Sequence, residues 1–151
     1  MMHYDIQTGV MEQKNAATCV PDKPYILVVD DDHAILSVVM LLLETEGYIS
    51  MGFSNSQEVL PFLKVLHATG QRFPSVVLLD LMMPVISGYD ITAFMATNEW
   101  TAHLPVVIMT ADHRVTSVHS VPGASDWISK PFRVEVLLNK LEVFMPAPCT
   151  Q

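Results

Sequence analysis

Five short apolar runs divide the chain, at 25–29, 48–53, 76–79, 106–109 and 126–129. The runs at 25–29, 76–79 and 106–109 are continuous in Val, Ile, Leu and their like, with no polar residue alternating between them. A strand covered on one face alternates, whereas a strand covered on both faces does not. Continuous runs this short therefore call for a parallel sheet packed between two layers of helices. The run at 48–53 is more mixed and suits a sheet edge.

The intervening segments read as helices. Segment 34–46 is apolar on most faces and stops at Gly47, a good helix terminator. Its surface must be covered or must carry a contact, and burial is the default. Segment 56–67 follows Asn55, with Glu58 at capping-box distance and Pro61 near its first turn. Segment 88–98 is a third helix, with Trp100 packing at its end. Segment 113–121 is a weak fourth, rich in β-branched residues and ended by Pro122. Segment 133–145 is a fifth, with Val134, Leu137, Leu138, Leu141 and Phe144 at helical spacing. Five β-α units make a three-layer, doubly wound α/β domain over 24–146. Residues 1–23 read as a mobile N-terminal tail and 147–151 as a short C-terminal tail.

The length, 151 residues, suits one domain. Eight basic against 16 acidic residues give a formal charge of −8, which argues against a general nucleic-acid binder. Cys19 and Cys149 near the two ends cannot form a disulfide framework, and no CxxC pair offers a zinc site. No run approaches the ~20 apolar residues of a membrane span, and the first residues lack a signal-peptide pattern. The expected location is the cytosol. The six His show no paired metal-ligand spacing on one helix, and His33, His113 and His119 read as surface residues.

In a parallel sheet, sites form at the carboxyl ends of the strands. Here those ends carry Asp30-Asp31-Asp32, Asp80, Thr110-Ala111 and Lys130-Pro131. Two carboxylates ~4 Å apart repel by ~4 kcal/mol at an effective dielectric near 20. One Lys does not balance three of them, and hard oxygen ligands favour Mg2+ over zinc or copper. The blander reading makes the Asp triplet a cap for the first helix. Taken alone, the triplet is evenly divided between cap and site. The coincidence of Asp80, Thr110 and Lys130 at three other strand ends favours a site. Mg2+, an exposed Asp, a hydroxyl and an ammonium suit phosphoryl transfer to an Asp nucleophile.

Four stretches carry a family resemblance: Ile26-Leu27-Val28-Val29-Asp30-Asp31-Asp32; Leu79-Asp80-Leu81-Met82-Met83-Pro84 with Ser87-Gly88; Val107-Ile108-Met109-Thr110-Ala111; and 123–132. In that order, the chain resembles the receiver domain of two-component response regulators. The resemblance implies a flavodoxin-like sheet of order 2-1-3-4-5. It implies Asp80 as phosphoacceptor, and Asp30, Asp31, Asp80 and the backbone carbonyl of Met82 as Mg2+ ligands. Thr110 matches the switch hydroxyl, Lys130 the Lys that salt-bridges the phosphoryl group, and Trp127 the switch aromatic. Pro131 matches the Pro of a Lys-Pro pair whose peptide bond is usually cis. Trp127 is bulkier than the family's usual Tyr or Phe. The segment from Thr110 to Gly123 is shorter than usual, which cuts into the fourth helix.

The implied partners are a sensor histidine kinase or phosphotransfer protein, and an output protein. A phosphorylation-dependent homodimer is possible in such a domain. With six residues after Met145, the expected output is protein contact, not direct nucleic-acid binding. The start-like Met1 mildly favours a complete gene product over an excised receiver fragment of a larger regulator or hybrid kinase. The domain is expected to catalyse only its own phosphorylation and dephosphorylation, not to be an enzyme. One rival is a non-signalling receiver-like scaffold. The other is a phosphohydrolase, which the Met82 side chain disfavours where a second Asp is wanted.

Overall fold

The computed structural model of the chain describes residues 20–146. The tails expected at 1–23 and 147–151 lie outside these residues, except for 20–23, where Val20 packs against the core. Cys19 and Cys149 also lie outside.

Five strands, β1 (Ile26–Val29), β2 (Ser50–Phe53), β3 (Val76–Asp80), β4 (Val106–Thr110) and β5 (Asp126–Ser129), form one sheet. All neighbours are parallel and the order is β2-β1-β3-β4-β5. Four helices accompany it: α1 (His33–Thr45), α2 (Val59–Thr69), α3 (Gly88–Thr97) and α4 (Val134–Glu142).

The continuous apolar runs divide by parity. Leu27, Val29, Val77, Leu79, Val106 and Ile108 meet Leu63 and Leu66 of α2 and Ile91 and Met95 of α3. Ile26, Val28, Val76, Leu78, Val107 and Met109 meet Leu36, Val39 and Leu43 of α1 and Leu137 and Leu141 of α4. Alternate side chains point to opposite faces of a strand, so neither parity can be polar. β2 and β5 are the edges, and their outer residues are only partly covered.

Two helical expectations are corrected. The fourth helix expected at 113–121 is a single 3-10 turn, Val118–Ser120. Val115 and Val121 are buried on either side of it. The β-branched residues that disfavour a helix here anchor an irregular loop instead. The default of burial for the first helix also fails in part. Its buried stripe is Leu36, Val39 and Leu43, while Val38 and Leu41 are exposed. The second helix begins as a 3-10 turn, Ser56–Glu58, whose Asn55 side chain accepts from the Gln57 N–H. Pro61 falls in the first turn of α2, where no backbone N–H is missed. Trp100 lies beyond the end of α3 and stacks on His67, with ring centroids 4.9 Å apart.

Val85, in the loop after β3, has φ 68. The Ile86 N–H donates to the Pro84 carbonyl at 2.8 Å across it, closing a strained three-residue turn. A β-branched residue is a poor occupant of this region. Val85 is 79% exposed, so its side chain contributes little burial in return. Val85→Asn should raise the unfolding free energy by about 1 kcal/mol, because Asn tolerates positive φ. Urea denaturation checks this; no gain would show that the turn is unstrained.

Candidate functional site

The sheet register assembles the site. Val29 of β1 lies beside Leu79 of β3, and Asp80 beside Met109 of β4. Thr110 of β4 lies beside Ser129 of β5. Asp30, Asp80, Thr110 and Lys130 therefore leave the same edge of the sheet, from four different strands.

The Asp triplet divides its work. Asp32 caps α1, accepting from Ala34 and Ile35 N–H at 2.9 and 3.2 Å. Asp30 is 0% exposed and accepts the Asp32 N–H at 2.9 Å. Asp31 is exposed. Carboxylate oxygens of Asp30, Asp31 and Asp80 lie within 4.8 Å of one another. Asp32 is thus the cap of α1, whereas Asp30 and Asp31 stand with Asp80 in an acidic cluster.

Lys130 closes the cluster from β5. Its Nζ donates to Asp30 Oδ2 at 2.6 Å and lies 3.5 Å from Asp80 Oδ1. The Lys130–Pro131 peptide bond is cis. The Lys130 N–H donates to the Thr110 carbonyl at 2.8 Å. Thr110 is buried, and its Oγ1 accepts the Asp112 N–H at 2.9 Å. Met82 is exposed beside Asp80, whose Oδ1 accepts its N–H at 3.3 Å. Trp127 is half-buried on β5 and packs against the α2–α3 side of the core.

Burial and the neighbouring Asp30 carboxylate push the Asp80 carboxyl up to about 6, against the opposing pull of Lys130. Asp112, by contrast, is held down at about 2 by hydrogen bonds from Arg114. A raised carboxylate in a shared acidic cluster marks charge that a cation would relieve.

Two further supports hold the loops beside the cluster. Ser87 and Asp90 form a reciprocal capping box at the start of α3; the spacing Ser-x-x-Asp was the available signal. Ser56 is buried and donates to the Pro84 carbonyl at 3.1 Å, tying the loop after β2 to the loop after β3. No local pattern announces that bond.

The receiver-domain model of response regulators matches residues 26–142. The chain belongs to this family. It is 32% identical over 126 residues to the DNA-binding dual master transcriptional regulator RpaA of Synechocystis, covering 81% of this chain and 49% of RpaA. It is 30% identical over 125 residues to the phosphate regulon regulatory protein PhoB of Pseudomonas aeruginosa, covering 80% and 51%. The chain thus spans about half the length of these relatives. The response regulator TrrA of Thermotoga maritima, solved with Mg2+ and a beryllium fluoride, superposes with a TM-score of 0.69 at 25% identity, over 81% of this chain and 99% of TrrA. A receiver domain is the phosphoacceptor module of two-component signalling.

Two stability predictions follow from the geometry. Asp80 binds its proton up to about pH 6 when folded, and only to its ordinary 3.8 when unfolded. The folded state therefore holds more protons between these values, and stability falls as pH rises through them. In metal-free buffer, Asp80→Asn should be more stable than the parent at pH ~7.5, by on the order of 1–3 kcal/mol. The gap should close near pH ~4; an equal gap at both would refute the buried-charge account. Gly88 presses on the strand end: a Cβ there would meet the Asp80 carbonyl oxygen and come 2.7 Å from Leu81 Cα. Gly88→Ala should cost about 2–3 kcal/mol in chemical denaturation, as backbone overpacking does.

Proposed function

We propose that Asp80 is the phosphoacceptor of this receiver domain, with Thr110 and Lys130 as its phosphoryl-binding partners. The observation that carries the reading is the convergence of three carboxylates, one ammonium and one hydroxyl on a single sheet edge. A structural cluster has no need of three carboxylates against one Lys, since each uncompensated charge costs free energy.

The donor set fits Mg2+: hard carboxylate oxygens, close together and partly open to solvent. Asp30, Asp31, Asp80 and the Met82 backbone carbonyl would hold it. When bound, Mg2+ supplies positive charge against the phosphoryl oxygens. The chain's own residues do the rest. One Asp80 oxygen attacks phosphorus, and the bond from phosphorus to the donor histidine nitrogen breaks, its electron pair staying on the imidazole. Lys130, already 3.5 Å from Asp80, balances the charge that accumulates there. Thr110 donates its hydroxyl hydrogen to a phosphoryl oxygen.

The family implies a histidine kinase partner; a phosphotransfer protein presents the same chemistry. Thr110 is bonded through its carbonyl to Lys130, three residues beyond Trp127. A pull on Thr110 therefore reaches β5, and we assign Trp127 as the switch aromatic. The new charge shifts the population of a two-state domain. The output is a changed contact with a protein partner or a second copy, consistent with the formal charge of −8.

Intact mass spectrometry after acetyl phosphate and Mg2+ should show one phosphoryl adduct, absent from Asp80→Asn. Labelling that persists in that variant would sink the assignment. Mg2+ should raise the melting temperature by an amount set by its concentration over its Kd. Asp31→Asn, at an exposed position, should lower that rise several-fold; an unchanged rise would place the ion elsewhere.

A further inference from the structure

The loop that replaces the fourth helix carries a side-chain device of its own. Asp112 follows Thr110 by two residues, and its backbone N–H donates to Thr110 Oγ1 at 2.9 Å. Its carboxylate in turn receives several bonds from Arg114. The Arg114 backbone N–H donates to Oδ1 at 2.9 Å, and Nε donates to Oδ1 and Oδ2 at 2.9 and 3.1 Å. Nη2 donates to Oδ2 at 2.7 Å. Both carboxylate oxygens are thus gripped in a fork, inside one turn.

Stability does not explain the fork. The Arg114 side chain is 84% exposed, and exposed ion pairs contribute little to folding. Its geometry is more telling. No regular helix follows β4 to set the course of residues 111–117; one backbone turn, closed by the Val115 N–H on the Asp112 carbonyl at 3.2 Å, precedes the 3-10 turn Val118–Ser120. The fork fixes the orientation of the Asp112 peptide, and that peptide touches the Thr110 hydroxyl. A hydroxyl whose oxygen already accepts an N–H has its own hydrogen left to give. A phosphoryl oxygen requires that hydrogen.

We propose that Asp112 and Arg114 are positioning residues for Thr110. Their fork holds the Asp112 amide on the Thr110 oxygen, so that the hydroxyl hydrogen is presented to the phosphoryl group arriving at Asp80. The proposal rests on the reading of Asp80 as acceptor. It assigns a role to two residues outside the acidic cluster of Asp30, Asp31 and Asp80.

The test is the rate of labelling by acetyl phosphate at saturating Mg2+, followed by intact mass on the full chain. Arg114→Ala should slow labelling about three- to tenfold, the worth of one aligned hydrogen bond. Asp112→Ala, which also removes the acceptor of the Arg114 backbone N–H, should slow it at least as much, and the double variant no further than Asp112→Ala alone. Arg114→Lys should recover less than half of the loss, since an ammonium cannot span both oxygens. In a Thr110→Val background, which keeps the side-chain shape, Arg114→Ala should have no effect. Thr110→Ala serves the same purpose if the Val variant does not fold. Equal slowing with and without the hydroxyl, full rescue by Lys, or no slowing at all would each overturn the proposal. A parent protein that takes no label would overturn the Asp80 reading instead, and this proposal with it.

Discussion

The contact between Lys130 and Asp30 governs the functional end of the sheet. A carboxylate with no exposed surface is tolerable only if a partner compensates it, and the ammonium at 2.6 Å is that partner. The two residues lie 100 positions apart and belong to opposite halves of the chain. The pair can form only when β1, β3, β4 and β5 are in register. The same ammonium reaches Asp80 at 3.5 Å. One cation therefore ties the outermost loop, after β5, to the two central acidic strand ends. Removing it would leave a buried charge unpaired, a cost of several kcal/mol in comparable sites.

The fold was readable where both faces of a strand are buried. Ile26–Val29 is apolar throughout and is followed by Asp30, whereas Val76–Asp80 and Val106–Thr110 are apolar at every position except their last, and the polar residue marks where the sheet ends. The clustering of polar groups at one sheet edge was readable for the same reason: Asp30 follows such a run and Asp80 and Thr110 end two others, while Lys130 follows the mixed edge strand Asp126–Ser129. Resemblance to receiver domains then assigned the roles, which composition and spacing left open. What stayed hidden depends on tertiary context. The triplet 30–32 holds three identical side chains: the resemblance sets Asp32 apart from Asp30 and Asp31, but only the path of the chain from β1 into α1 shows Asp32 as the cap and Asp30 as the buried acid. α1 is apolar on more than one face, so sequence could not show which stripe the sheet would cover. The segment after Thr110 has poor helix formers, but only the structure shows Val115 and Val121 taking over as anchors.

Several contacts hold the loop that follows Asp80. Gly88 is packed against the backbone of Asp80 and Leu81, and its N–H donates to the Leu81 carbonyl at 2.9 Å. The Ser56–Pro84 bond and the strained turn at Val85 constrain the same loop from its far side. A preorganised loop loses little conformational freedom when a phosphoryl group arrives, so more of the interaction free energy is left for the conformational response.

Charge decides the rest. Three carboxylates cluster around one ammonium, and burial first, then the Asp30 carboxylate, raises the Asp80 carboxyl against the pull of Lys130. Two routes relieve the excess charge: a proton on Asp80, or a divalent cation among the three acids. They compete for the same oxygens. A proton neutralises the Asp80 carboxylate, whereas a cation offsets its charge and leaves it ionised. With the Asp80 carboxyl raised to about 6, the proton is the main relief below that pH; nearer neutrality the carboxylate is ionised, and its charge stands uncompensated unless a cation offsets it. The cost of crowding these acids is borne by the apolar sheet behind them, whose two covered faces keep the four strand ends from spreading apart.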